Sequence, residues 1–124
     1  MALVTEDHIE LQSIEWFKEL GYQYQCGYDI AVDGETPERS DYRSVTLKGR
    51  LESALKRLNP EIPTSAIDEA VSKLINPNIP ALMSCNRQVH EYLTKGIKVV
   101  FHEGSQEIGK QLKVIDFENP DNND

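Results

Sequence analysis

Apolar residues recur at three- and four-residue intervals along most of the chain and change to alternation near its end, which predicts helices first and strands last. In the first helical stretch, Thr5 stands as an N-cap ahead of Glu6 and Asp7, acids favoured by the helix dipole, and Gly21 stands as the stop. The spacing predicts a helix over 6–20, with Ile9, Ile14, Trp16, Phe17 and Leu20 on one core-facing arc. Two acids share that arc: Glu10 projects between Phe17 and Ile14, and Glu6 lies between Leu20 and Phe17, one turn earlier. A carboxylate so placed needs a partner or a wet cleft. Tyr22 to Cys26 alternates aromatic and polar residues, which predicts a short strand, and a polar loop with Gly34 and Pro37 follows to Asp41.

Leu47, Leu51, Ala54, Leu55 and Leu58 predict a second helix over 45–58, ended by Asn59-Pro60. Arg43, Arg50 and Arg57, seven residues apart, would line one flank of it, with Lys48 and Lys56 across the leucine stripe. A third helix is predicted over 64–75, with Ile67, Val71, Leu74 and Ile75 inward and Asn76-Pro77 as terminator. A fourth is predicted over 80–94, with Leu82, Met83, Val89 and Leu93 on its buried side, and Lys95-Gly96 closes it. Alternation at 97–102 and 111–117 predicts an antiparallel hairpin. The order of elements defines an α+β class.

A chain of 124 residues fits a single domain spanning 1–124, and 39% apolar with 27% charged residues is ordinary for a soluble globular protein. No apolar run approaches the roughly 20 residues that cross a bilayer, so no membrane is implicated. The opening MALVTEDHIE lacks a basic segment followed by an apolar one, so no signal peptide is read and a cytoplasmic location is expected. Cys26 and Cys85, far apart and outside any CxxC pair, are expected to be buried small hydrophobes.

The formal net charge of −8 argues against nucleic-acid binding by the chain as a whole, but the charge is segregated. Residues 1–41 hold ten acids and two bases, residues 42–100 five acids and nine bases, and residues 101–124 six acids and two bases. Phosphate-loop, dinucleotide, zinc-protease and serine-hydrolase motifs are all missing, and His8, His90 and His102 are scattered, so spacing defines no nucleophile and base. Two features remain. Glu10 with Glu6 is either a solvated edge of the apolar arc or a carboxylate aimed into a cleft where a hard divalent cation would take oxygen ligands. The basic helix is either a solvated surface or a face for phosphate or a partner.

The stretches TEDHIELQSIEWFKELGY, ERSDYRSVTLKGRLESALKRLNP, SCNRQVHEYLTKGIKV and VIDFENPDNND together resemble the N-terminal region of the R (HsdR) subunit of type I restriction–modification enzymes. The resemblance covers essentially the whole chain. It implies a parent endonuclease that uses Mg and ATP to cut unmodified foreign double-stranded DNA, in a complex with modification and specificity subunits. In that family this region leads into a PD-(D/E)xK nuclease core and then an ATP-driven motor. Neither a PD followed by ExK nor a motor phosphate loop occurs in these residues. The resemblance therefore implies a partial nuclease domain truncated within NPDNND. The core catalytic residues would lie beyond 124, and the fragment alone would be inactive and bind no cofactor tightly. It matches Glu10, with Glu6 as fallback, to an accessory metal-site glutamate. It gives Arg43, Lys48, Arg50, Lys56 and Arg57 a role in DNA binding or subunit docking. The competing expectation is a free-standing acidic α+β module that binds protein and carries no nuclease.

Overall fold

The computed structural model describes residues 3–123, among which lie five α-helices, a short 3₁₀ turn and one two-stranded antiparallel sheet, the α+β arrangement anticipated above. The chain divides into two compact units, residues 1–42 and 43–124. No helix among the described residues is long and apolar enough to cross a membrane.

The first unit is built on α1 (Glu6–Glu19). Thr5 Oγ1 accepts from the His8 amide while His8 Nδ1 accepts from the Thr5 amide, a reciprocal capping box with histidine in the usual place of Glu or Gln. At the other end Gly21, at φ +95°, lets the Tyr22 amide reach the Phe17 carbonyl and the Gly21 amide reach that of Lys18, closing the helix as a Schellman motif. The apolar arc of α1 is not a core: no residue of the helix is buried, and Ile9, Trp16, Phe17 and Leu20 are all more than half exposed. The physical reason is that the rest of the unit supplies only the four-residue α2 (Gly27–Ile30) and irregular chain, too little to cover a helix face.

The strand expected over Tyr22–Cys26 does not form. Its alternate aromatics turn back onto α1 instead. Tyr22 meets Phe17 edge-to-face at 5.4 Å between ring centroids, and Lys18 Nζ lies 5.5 Å from the Tyr24 ring centre. A period of two thus arises from helix packing with no partner strand. In the loop that follows, Gly34 is required because a Cβ there would collide with the carbonyls of Tyr28 and Asp29.

The second unit contains α3 (Lys48–Leu58), α4 (Thr64–Ile75), α5 (Leu82–Lys95), β1 (Ile97–Glu103) and β2 (Gln106–Leu112). β1 pairs with β2 from Ile97↔Leu112 to Glu103↔Gln106 around a two-residue turn in which Gly104 takes φ +64°. Leu55 of α3, Ala66, Ile67, Ala70 and Val71 of α4, and Ile97, Val99 and Phe101 of β1 close the core with Ile62 and Leu112. α4 has the predicted bounds. Its two alanines, absent from the predicted inner face, let the helix lie close against β1.

Several boundaries differ from expectation: α1 ends one residue early at Glu19, and α5 and β1 each run one residue further, to Lys95 and Glu103. α3 begins at Lys48 and not at 45, because Leu47 offers no side-chain cap and the β-branched Val45 and Thr46 favour extended chain. α5 begins at Leu82 and buries no residue fully; Leu82 and Met83 face solvent, and the half-buried stripe is Cys85, Gln88, Val89 and Tyr92. Cys26 and Cys85 are accordingly half-buried free thiols and not core residues.

The largest departure is β2, which ends at Leu112 and leaves Val114–Phe117 outside the sheet. The cause is Asn59, only 3% exposed. Its Oδ1 accepts from the Lys113 amide at 2.7 Å, and its Nδ2 donates to the Lys113 carbonyl at 2.7 Å and to Leu55 O at 2.9 Å. One side-chain amide thus occupies both backbone groups of Lys113 as a neighbouring strand would, immediately after the ladder ends. Asn59→Ala is predicted to lower the stability of the chain by about 1–3 kcal/mol, because buried donors and acceptors are left without partners. Urea denaturation followed by circular dichroism checks this, and an unchanged midpoint would show that the interaction contributes nothing.

Candidate functional site

Four of the five predicted basic residues lie on α3. Arg43 precedes α3, and the remaining four, all exposed, are distributed along it. Lys48, at the first turn, lies 3.8 Å from Glu52, an exposed i,i+4 pair. Lys56 and Arg57 occupy the last turn, where cations suit the helix dipole. Arg57 is engaged within the fold, donating from Nη2 to the Asn122 carbonyl at 3.1 Å.

That carbonyl belongs to a tightly wired turn. The Asp116 carboxylate accepts from the amides of Glu118 (3.1 Å) and Asn119 (3.0 Å) through Oδ1 and from Asn122 Nδ2 (3.0 Å) through Oδ2, with Lys113 Nζ 3.7 Å away. Asn123 pairs the backbone of Asp116, accepting from its amide at 2.8 Å and donating to its carbonyl at 2.9 Å, and also reaches Pro120 O. The hydrogen bond from Asn122 and that from the Asn119 amide, aided by Lys113 and Glu118 against partial desolvation, hold the Asp116 carboxyl below its ordinary value. Its lone pairs are directed inward, so it works as a brace and not as an open ligand. Sequence reading missed Asn59, Asp116, Asn122 and Asn123 as site residues. The available signal was the Asp-x-Glu-Asn-Pro order, which suits an Asx turn.

Glu10 and Glu6 are both exposed on α1. Among the described residues no group of three or more His, Cys, Asp or Glu side chains is arranged to hold a metal ion. The Tyr24 phenol, raised chiefly by its hydrogen bond with Cys26, is raised further by the charge of Glu10. An apolar groove of about 290 Å³ opens beside it among Ile14, Phe17, Tyr22 and Tyr24. In the second unit a groove of about 280 Å³ runs between the end of α5 and residues 111–118.

The arrangement is thus a basic helix whose last turn is tied to a braced acidic turn. Residues 4–124 match the family described as type I restriction enzyme R protein N terminus (HSDR_N), and the chain belongs to that family. It is 27% identical over 121 residues, 98% of its length, to the type I restriction enzyme HindI endonuclease subunit of Haemophilus influenzae. It is 31% identical over 124 residues, 99% of its length, to a protein of Methanocaldococcus jannaschii provisionally named type I restriction enzyme MjaIXP endonuclease subunit. The chain spans 12% of the length of each of these relatives. No solved structure matches it significantly.

The depressed Asp116 carboxyl sets a sign for acid behaviour. Its stabilising contribution is present above the unfolded carboxylate range and is lost as pH falls through the lowered folded value. Asp116→Asn, which sets an amide NH₂ against Asn122, is predicted to melt lower than the wild type at neutral pH and to converge with it in acid. Thermal melts across pH check this, and a gap of constant size would contradict it.

Proposed function

We propose that the chain is the opening portion of the endonuclease subunit of a type I restriction enzyme, acting in the cytoplasm on double-stranded DNA in complex with modification and specificity subunits. The supporting observation is that the two most specific stretches of the resemblance, one ending KRLNP and the other reading IDFENPDNN, are joined by Arg57–Asn122, while Asn59 holds Lys113 two residues before the second stretch. The family membership and the endonuclease names of the relatives agree with that reading.

On this reading Lys48, Arg50 and Lys56 of α3 meet the DNA backbone, a role suited to Lys and Arg because neutralising phosphates releases counterions. Glu10, or Glu6 in its place, supplies one accessory oxygen to Mg. The remaining ligands, the ATP site and the residues that activate water come from the greater part of the subunit. The 124-residue chain alone would cut no DNA. Mg, when bound, would supply charge stabilisation to phosphodiester hydrolysis, and Glu10 would be one of the residues that hold it.

In the full-length subunit, replacing Lys48, Arg50 and Lys56 by Ala is predicted to flatten the salt dependence of DNA binding by roughly one unit of log–log slope for each phosphate that is no longer neutralised. Unchanged binding with failed assembly would assign the face to a neighbouring subunit. Glu10→Ala is predicted to lower DNA cleavage while ATP hydrolysis persists, and cleavage at the wild-type rate would remove Glu10 from the metal site.

A further inference from the structure

We propose that Arg57 is a positioning residue for DNA cleavage and not a phosphate ligand. The inference rests on the DNA-cleaving function proposed above and assigns different work to two neighbours on the same helical turn.

The first observation is the engagement of the guanidinium. Nη2 of Arg57 donates to the Asn122 carbonyl, 65 residues away in the chain, and a charged donor makes the stronger kind of hydrogen bond. Asn122 is itself held, because its side-chain amide donates to Asp116 Oδ2. Moving Arg57 to a phosphate would leave that carbonyl without its charged partner and release the turn from α3.

The second observation is charge. The turn that Arg57 touches carries Asp116, Glu118 and Asp121, and only Lys113 answers them within it. A phosphate approaching Arg57 at the Asn122 carbonyl meets a field of its own sign. Lys48 sits nine residues earlier, about 14 Å along the helix axis at 1.5 Å per residue, where the acid it faces is Glu52 at 3.8 Å.

The third observation is the pairing of Arg57 with Asn59. The two residues, at and just past the end of α3, grip the segment 113–122 at its two ends, Lys113 through Asn59 and Asn122 through Arg57. Removing either side chain frees one end of the segment while the other stays attached. Arg57 therefore fixes the direction in which the chain leaves the turn, and in a nuclease subunit that direction sets the placement of what the turn supports.

The test uses the full-length subunit carrying Arg57→Ala, Arg57→Lys or Lys56→Ala, with DNA affinity measured across salt and cleavage measured at saturating DNA. Arg57→Ala is expected to keep the wild-type salt slope and lose about tenfold in saturating cleavage rate, and Arg57→Lys, which can still donate to the carbonyl, to recover most of that rate. Lys56→Ala is expected to lower that slope by about one, which Arg57→Ala does not. A slope lowered by about one in Arg57→Ala, or a cleavage rate equal to wild type, would overturn the assignment. If the wild-type subunit shows no salt-dependent binding to DNA, the functional reading fails on its own. Amide exchange at Glu118 and Asn119 in the 124-residue chain then decides the positioning role, with faster exchange in Arg57→Ala supporting it and unchanged exchange overturning it.

Discussion

A buried primary amide must be fully paired or it destabilises the fold that contains it, and the carboxamide of Asn59 meets that requirement by reaching across the second unit. One oxygen and one nitrogen serve Lys113, and the same nitrogen returns to Leu55 on its own helix. The consequence is architectural. The end of α3, the exit from β2 and the buried Leu55 beneath them are held at one point, and the segment that follows Lys113 is given a fixed start. Asn123 repeats the device on the backbone of Asp116. Two asparagine side chains thereby do for residues 113–116 what a third strand would otherwise do.

That substitution explains where the sequence was legible and where it was not. The core-forming helices were readable because Leu55, Ile67 and Val71 sit at helical spacing, and β1 was readable because Ile97, Val99 and Phe101 alternate with exposed residues. β2 was misplaced for a physical reason: Gln106–Leu112 is mostly polar on both faces, with only Ile108 and Leu112 turned toward the core, while the apolar Val114 and Ile115 lie in chain whose hydrogen bonds go to side chains. Asn59 itself read only as a helix stop, since nothing in a single sequence shows that a terminator's side chain is buried. The basic residues were found by charge alone, and the hydrogen bond from Arg57 to Asn122, 65 residues away, is one that no local pattern encodes.

The two units differ in character. The first carries a well-capped helix with an exposed apolar arc and a surplus of acids, whereas the second has a closed core and carries the basic helix. An isolated helix of that length is marginal in water, so α1 has to draw its stability from its caps and from the aromatic packing of Tyr22 and Tyr24. Such a division suits a module that is one part of a large subunit, as the relatives' greater length shows for them. It also puts the acidic residues proposed to approach a metal and the cations proposed to approach DNA in different units.

The central claim is that Asn59 pairs Lys113 as a strand would. Native-state hydrogen exchange resolved at single amides measures this most directly. The account predicts that the Lys113 amide, one residue past the end of the ladder, is protected to the same level as Leu112 and Val99. An amide at Lys113 exchanging as fast as those of the exposed turn at Gly104 and Ser105 would contradict it.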